Sequence, residues 1–338
     1  MHTSGPRLGL TLGITALLLP LLALGVFVTA FALTATADDS TNPLAGRSFY
    51  TDPLSGAAKA ASAGTGTSNG TSTGTNAAAD TARLTRLAEQ PTAIWLTPEK
   101  HPLGTVETAV AAIVDDAAAA GRLPVFVIYG VPNRDCGNFS AGGLSSAEYP
   151  VWVQSIASGL GMRSAVVILE PDALALAGEC GNTDERLREI RGAVDVLATS
   201  MATVYLDGGH SDWLPATEMA SLLTRAGIDQ VRGFATNVSN YQDSAAEQAY
   251  AETLSGLTDG AHYVVDTSRN GAGSTGEWCN PAGRALGASA AAVTADGPHD
   301  ANLWIKPPGE SDGTCNGGPA AGEWWNERAI ELAENAGW

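Results

Sequence analysis

The chain of 338 residues predicts an α/β fold in which parallel strands close, or nearly close, into a barrel. Three observations carry this. Short apolar runs recur at a spacing of roughly thirty to forty residues, the length of a βα unit. They are continuously apolar rather than alternating, as strands covered on both faces are. Nearly every run ends in polar or acidic residues, whereas a doubly wound sheet would gather them at one switch point.

The first helix is expected over 80–89, where Leu84, Leu87 and Ala88 share one face. Strands are expected at 93–96, 125–129, 165–169, 203–206, 231–235, 263–265 and 302–305, seven in all. Ala-rich helical segments such as 106–120, 149–160, 183–198 and 216–226 fall between them, and Trp324 and Trp325 are expected to pack within a last helix. The strand ends present Tyr129 with Arg134 and Asp135, then Glu170 and Asp172, Asp207 and His210, Asn237, Asp266, and finally Lys306, Glu310 and Asp312. The sharpest is Ala165-Val-Val-Ile-Leu-Glu-Pro-Asp172, where an apolar strand emerges directly into two carboxylates. In a barrel, that end of a strand is where chemistry is done.

With 36 Asp and Glu against 18 Lys and Arg, the formal charge is −18. Such a surface repels nucleic acid and anionic membranes, and it admits a neutral ligand more readily. Lysine is confined to Lys59, Lys100 and Lys306, the last in the apolar run Leu303-Trp-Ile-Lys306, where a charge needs partners. Residues 8–37 carry no charge, and Ala35-Thr-Ala37 precedes Asp38 and Asp39. Residues 1–37 therefore read as a secretion signal with a small-residue cleavage pattern, or as an uncleaved N-terminal membrane anchor, with residues 38–338 exported in either case. Residues 64–76, nearly all Gly, Thr, Ser and Asn, are expected to be a flexible tract. Export makes the four cysteines, Cys136, Cys180, Cys279 and Cys315, candidates for two disulfides with three possible pairings. They show no Cys-x-x-Cys spacing and the five histidines no His-x-x-x-His, so no metal site is expected.

Several carboxylates at one barrel mouth, without a metal-ligand or nucleophile signature, suit acid/base hydrolysis of glycosidic bonds. One carboxyl must stay protonated to donate to the leaving oxygen, which burial or a neighbouring negative charge achieves. Asp172, with Glu170 and Asp135, meets that requirement. The structural alternative for Glu170 and Asp135 is pairing with Arg134 or helix capping. Sugar rings stack on aromatic faces, and Trp95, Trp213, Trp278 and Trp304 lie in or just after strand ends. Only Trp278 sits in a Gly-rich loop with no apolar run to pack it. The segment Gly271-Ala-Gly-Ser-Thr-Gly276 matches a dinucleotide fingerprint but leads into Glu277-Trp-Cys-Asn-Pro281 instead of an apolar helix. No Gly-x-Ser-x-Gly elbow follows a strand.

Val127-Ile-Tyr-Gly-Val-Pro-Asn-Arg-Asp-Cys136 and Val167-Ile-Leu-Glu-Pro-Asp-Ala-Leu174 closely resemble the two signatures of glycoside hydrolase family 6, a family of cellulases. The likeness continues through Leu206-Asp-Gly-Gly-His210, Ala235-Thr-Asn-Val-Ser-Asn-Tyr241, Asp266-Thr-Ser-Arg-Asn-Gly271, Glu277-Trp-Cys-Asn-Pro281 and Trp304-Ile-Lys-Pro-Pro-Gly-Glu-Ser-Asp-Gly313. The resemblance implies an incomplete, distorted TIM-like barrel of about seven strands that cleaves β-1,4-glucan with inversion and needs no cofactor. It implies Asp172 as general acid, Asp135 as the aspartate that keeps the acid protonated and relays a proton from water, and Asp312 as the residue proposed as base. Tyr129 would crowd the distorted sugar. Trp95, Trp278, Lys306 and Glu310 would bind sugars on the non-reducing side of the scissile bond, with His210, Trp213 and Asn237 as further cleft contacts. Lys306 would then find its partners in a sugar hydroxyl and Glu310. The implied disulfides are Cys136 with Cys180 and Cys279 with Cys315. Residues 280–301 leave no room for the tunnel-roofing insertion of exo-acting relatives, so an open cleft is expected. The expectation is a secreted endo-β-1,4-glucanase, monomeric, acting on glucan without nucleic acid or an obligate protein partner. The alternatives are an exo-acting cellobiohydrolase and a non-catalytic glucan-binding protein, the latter disfavoured by retention of all three aspartates.

Overall fold

Among the described residues, seven parallel strands follow one another in chain order around the barrel. The computed structural model describes residues 41–64 and 75–338, so the expectations for residues 1–37 and for most of the 64–76 tract lie outside the described residues. The two ends of that tract differ from expectation, because Gly64 closes helix α1 (Gly56–Gly64) and residues 75 and 76 open α2 (Thr75–Ala88).

Strands β1 (Ile94–Leu96), β2 (Val125–Ile128), β3 (Val166–Leu169), β4 (Thr203–Asp207), β5 (Gly233–Thr236) and β6 (His262–Asp266) pair successively in parallel. A two-residue strand, β7 (Ala291–Ala292), was not expected; it pairs antiparallel with β8 (His299–Leu303), which itself lies parallel to β6. β8 starts three residues before the expected 302, because its opening His299-Asp300 is too polar to read as strand. Helices α3 (Val106–Ala119), α4 (Tyr149–Leu160), α5 (Thr183–Leu197), α6 (Ala216–Ala226) and α7 (Ser244–Leu257) lie between successive strands, and α8 (Asn326–Asn335) ends the chain. Local chemistry sets their limits: the Asp243 carboxylate accepts the Ala245 N–H at the start of α7, and α6 stops at Gly227 with φ +96.

Alternate strand residues point to opposite faces. Val125, Val127, Val166, Ile168, Tyr205, Ala235, Val264 and Leu303 fill the barrel interior, while Phe126, Ile128, Val167, Leu169, Leu206 and Phe234 pack under the helices. Each such burial is worth roughly 1.5–3 kcal/mol before the entropy of ordering the chain is set against it. The barrel is incomplete between β1 and β8, which share no ladder. Among the described residues, only the Ala93 N–H, donating to the Trp304 carbonyl at 2.9 Å, and the Trp95 indole N–H, donating to the Ile305 carbonyl at 2.9 Å, cross that seam. Leu84 and Leu87 of α2 and Leu332 of α8 cover it around the buried Trp304. Trp304 is thus core, and its indole N–H donates to the Ala288 carbonyl at 2.8 Å. Trp324 and Trp325 pack as expected but precede α8 instead of lying in it. Gly309, at φ +108, lets the Trp324 ring approach, since a Cβ there would lie 2.7 Å from it.

Candidate active site

A cleft of about 670 Å³ lies at the carboxyl ends of the strands, and ten of the eleven residues expected to act or bind there line it. The exception is Asn237. It is fully buried, with φ +63; its amide donates to the Asp266 carbonyl at 2.8 Å and its amide oxygen accepts the Gln242 N–H at 3.0 Å. It shapes the loop that brings Ser239, Asn240 and Gln242 to the wall instead of reaching the cleft itself.

Asp172 follows β3 through a turn in which Glu170 (φ +50) and Asp172 (φ +68) are both left-handed. Its backbone N–H donates at 3.0 Å to Asp207 Oδ2, which also accepts the Gly209 N–H at 3.1 Å, while Asp207 Oδ1 is buried with no hydrogen-bond partner. Burial, then the charges of Asp207 and Asp135, push the Asp172 carboxyl well above the usual carboxylate range, against a smaller opposing pull from Lys306. Asp207, to which the sequence attached no role, is itself pushed up to about 7 by burial. Its sequence signals were its place at the end of a strand and its position in the Leu206-Asp-Gly-Gly-His210 match.

Glu170 is a tie between strand ends: its two oxygens accept the Gly130 N–H at 2.9 and 3.1 Å, and burial lifts it to about 7. Asp135 sits on a tight turn with φ +58, half-buried, and its Oδ2 accepts the Ser140 N–H at 2.7 Å. Burial raises its carboxyl, with the Ser140 hydrogen bond opposing. Arg134 pairs with Glu99 at 3.0 Å, not with Glu170 or Asp135, and covers the Tyr129 ring at 4.6 Å. Tyr129 in turn meets Trp95 edge-on, centroids 5.2 Å apart.

Across the cleft, three donor groups converge on Asp312. Arg269 reaches both oxygens at 2.9 and 3.1 Å, the Tyr241 hydroxyl donates at 3.0 Å and the Asn280 N–H at 3.1 Å. Lys306 Nζ stands 3.8 Å from Asp312 and donates to the Ser311 carbonyl at 3.3 Å; the expected Glu310 makes no ion pair with it but adds its charge in favour of the ammonium. Burial lowers the Lys306 ammonium, offset chiefly by Asp312, and burial raises Glu310. Asp266 is structural, its carboxylate taking the N–H groups of Ser239, Ser268, Ile305 and Lys306.

His210 accepts the Asp212 N–H on Nδ1 at 3.2 Å, which places the proton of the neutral ring on Nε2; burial pushes the ring down to about 4. Trp213 packs beside it at 5.3 Å. Trp278 is 51% exposed and tilts against Phe139, leaving an open aromatic face on the cleft. Both implied disulfides form, with Cα atoms 5.7 Å apart for Cys136–Cys180 and 6.2 Å for Cys279–Cys315. They tether the loops of Asp135 and of Trp278 with Asp312. Among the described residues no group of three or more His, Cys, Asp or Glu is arranged to hold a metal ion. The arrangement sets two carboxyls raised by burial, Asp172 and Asp135, opposite a fixed ion pair of Asp312 and Arg269, with aromatic faces along the groove.

Residues 45–336 match the model for glycosyl hydrolases family 6. Endoglucanase A of Cellulomonas fimi is 43% identical over 292 residues, 86% of this chain and 62% of that protein, so this chain spans under two thirds of that relative. Endoglucanase A of Thermobispora bispora is 42% identical over 332 residues, 95% of this chain and 68% of that protein. The endoglucanase Cel6 of Mycobacterium tuberculosis, solved in complex with methyl-cellobiosyl-4-deoxy-4-thio-β-D-cellobioside, superposes with a TM-score of 0.80 at 46% identity, covering 88% of this chain and 100% of that one. With a match spanning the whole barrel and the carboxylates gathered at its mouth, this chain belongs to glycosyl hydrolases family 6.

Proposed function

We propose that this protein is an exported endo-β-1,4-glucanase that hydrolyses internal bonds of cellulose-type glucans with inversion. The observation that carries the reading is the setting of Asp172: open to the cleft, yet raised by burial and by two neighbouring aspartates, as a proton donor at ordinary pH must be. In the proposed reaction Asp172 protonates the leaving glycosidic oxygen. Water attacks the anomeric carbon from the opposite face and gives up a proton through Asp135, so the bond to the leaving sugar breaks as the bond to water forms. Asp312, already accepting four hydrogen bonds from three donor groups, has little capacity left to take that proton; orienting Arg269 and Lys306 suits it better. Lys306, Glu310, Trp95 and Trp278 are positioned to bind the glucan on one side of the scissile bond, and His210 and Trp213 on the other.

The short connection from Cys279 to β8 supports attack within chains rather than at their ends, as do the endoglucanase relatives. Export is supported by the uncharged residues 8–37 and by two disulfides. No helix among the described residues is long and apolar enough to cross a membrane. The reading includes a monomer working without cofactor or protein partner. Its test is carboxymethylcellulose followed by viscometry and reducing-sugar release, with Asp172→Asn as control. Internal cutting lowers viscosity steeply while few ends appear. A slow, proportionate fall would mean an exo-acting enzyme, and no release at all a binding protein.

A further inference from the structure

The cleft wall formed by His210, Asp212 and Trp213 hangs on residues 208–213, which have no regular secondary structure and begin with two glycines. Gly209, at φ +67, adopts a conformation that other residues reach at a cost. The course of this segment is therefore set by where its backbone polar groups find partners. The half next to β4 is held by the sheet and by neighbouring turns. The Gly208 N–H donates to the Ala235 carbonyl at 2.8 Å, the Gly209 N–H to Asp207 at 3.1 Å, and the Gly209 carbonyl accepts the Asn237 N–H at 2.8 Å.

The half that reaches the cleft has a different anchor. The Ser211 N–H donates to Glu247 Oε1 at 2.7 Å, the shortest of these bonds. Glu247 lies in the first turn of α7, fully buried and outside the cleft lining, with its other oxygen lacking any hydrogen-bond partner. Nearly one turn further along the same helix, the Tyr250 hydroxyl donates to the Gly208 carbonyl at 3.3 Å. α7 thus presents two polar groups to the back of one cleft wall. A carboxyl buried with an oxygen unpaired costs stability that an apolar side chain at the same helix position would not. What it does that an apolar residue could not is accept the Ser211 N–H. Burial raises the Glu247 carboxyl, and hydrogen bonding from Ser211 and Thr236 opposes that.

We propose that Glu247 is a positioning residue: by accepting the Ser211 N–H it fixes residues 208–213, and so sets His210 and Trp213 at the spacing that grips a sugar. The kinetic consequence rests on the glucanase reading; the structural consequence does not. The test compares Glu247→Ala with Glu247→Gln, which keeps an amide oxygen for the Ser211 N–H. Ring resonances of His210 and the indole N–H of Trp213 are recorded by NMR without substrate, and KM and kcat are measured on cellohexaose. The Ala variant is expected to shift both sets of resonances and to raise KM roughly tenfold, the loss of one well-placed hydrogen bond, with kcat changed far less. The Gln variant is expected to restore both. Unshifted resonances with wild-type KM in the Ala variant, or equal damage in Ala and Gln, would overturn the role. If the Ala variant does not accumulate, Glu247→Ser, too short to reach Ser211, replaces it under the same criteria. A wild-type protein that leaves cellohexaose intact would contradict the glucanase reading, while the resonances would still decide the positioning role.

Discussion

The Asp172 backbone N–H donates to the Asp207 carboxylate at 3.0 Å, which locks the acid at the end of β3 against a second acid at the end of β4. The bond places a charge where it opposes ionisation of Asp172, and burial adds to it. A carboxyl so raised works as an acid until pH passes its pKa, beyond which activity is lost.

Asp207→Asn keeps an acceptor for the Asp172 and Gly209 N–H groups but removes that charge. The alkaline limb of the kcat/KM profile on soluble glucan should move to lower pH, with activity on the acid side retained. An alkaline limb at its original position would mean that Asp207 is only a backbone anchor.

Asp135→Asn keeps an acceptor for the Ser140 N–H and so should fold normally. Steady-state rates on unactivated glucan should fall roughly 10²- to 10⁴-fold, the usual contribution of acid–base catalysis. A kcat within about threefold of wild type would move the proton acceptor elsewhere.

Glu170 offers a stability test with a defined sign. Its folded-state value is about 7 against an ordinary 4.5, so its contribution is fully present below about pH 4.5 and is lost as pH rises through 7. Glu170→Gln, which still accepts the Gly130 N–H, should relieve that loss. Denaturant midpoints should diverge in favour of the variant between pH 5 and pH 8, by up to about 3 kcal/mol. A difference independent of pH would contradict the buried, raised carboxyl.

Arg269→Met leaves the Asp312 carboxylate buried without the guanidinium nitrogen that bridges both its oxygens. Breaking such a pair from one side should cost about 3–5 kcal/mol in urea unfolding. A loss below about 1 kcal/mol would place the pair in solvent-like surroundings.

Much of this was legible because strand ends carry their chemistry in local sequence. The seven parallel strands followed from continuous apolar runs, and Asp172 and Asp135 followed from acids at the ends of such runs. What was not legible depends on distances between elements far apart in the chain. Asp207 was visible as a strand-end acid, but its effect on Asp172 depends on a contact across 35 residues and on burial. Lys306 was expected, from the family resemblance, to meet Glu310 and a sugar hydroxyl, whereas the turn at Gly309 brings the Ser311 carbonyl and Asp312 to its ammonium. Asn237 was expected in the cleft from the family resemblance, but a left-handed backbone turned it inward to satisfy Asp266 and Gln242. Glu247 gave no signal, being one of two acids in an Ala-rich helix. β7 is too short to leave a periodic trace.

The most direct test of Asp172 as the acid of an inverting glucanase is proton NMR of cellohexaose hydrolysis, read in the first minutes before mutarotation. The α-anomer is expected at the new reducing ends, and Asp172→Asn is expected to produce none while still binding the oligosaccharide. Initial β-anomer, or full turnover by Asp172→Asn, would contradict it.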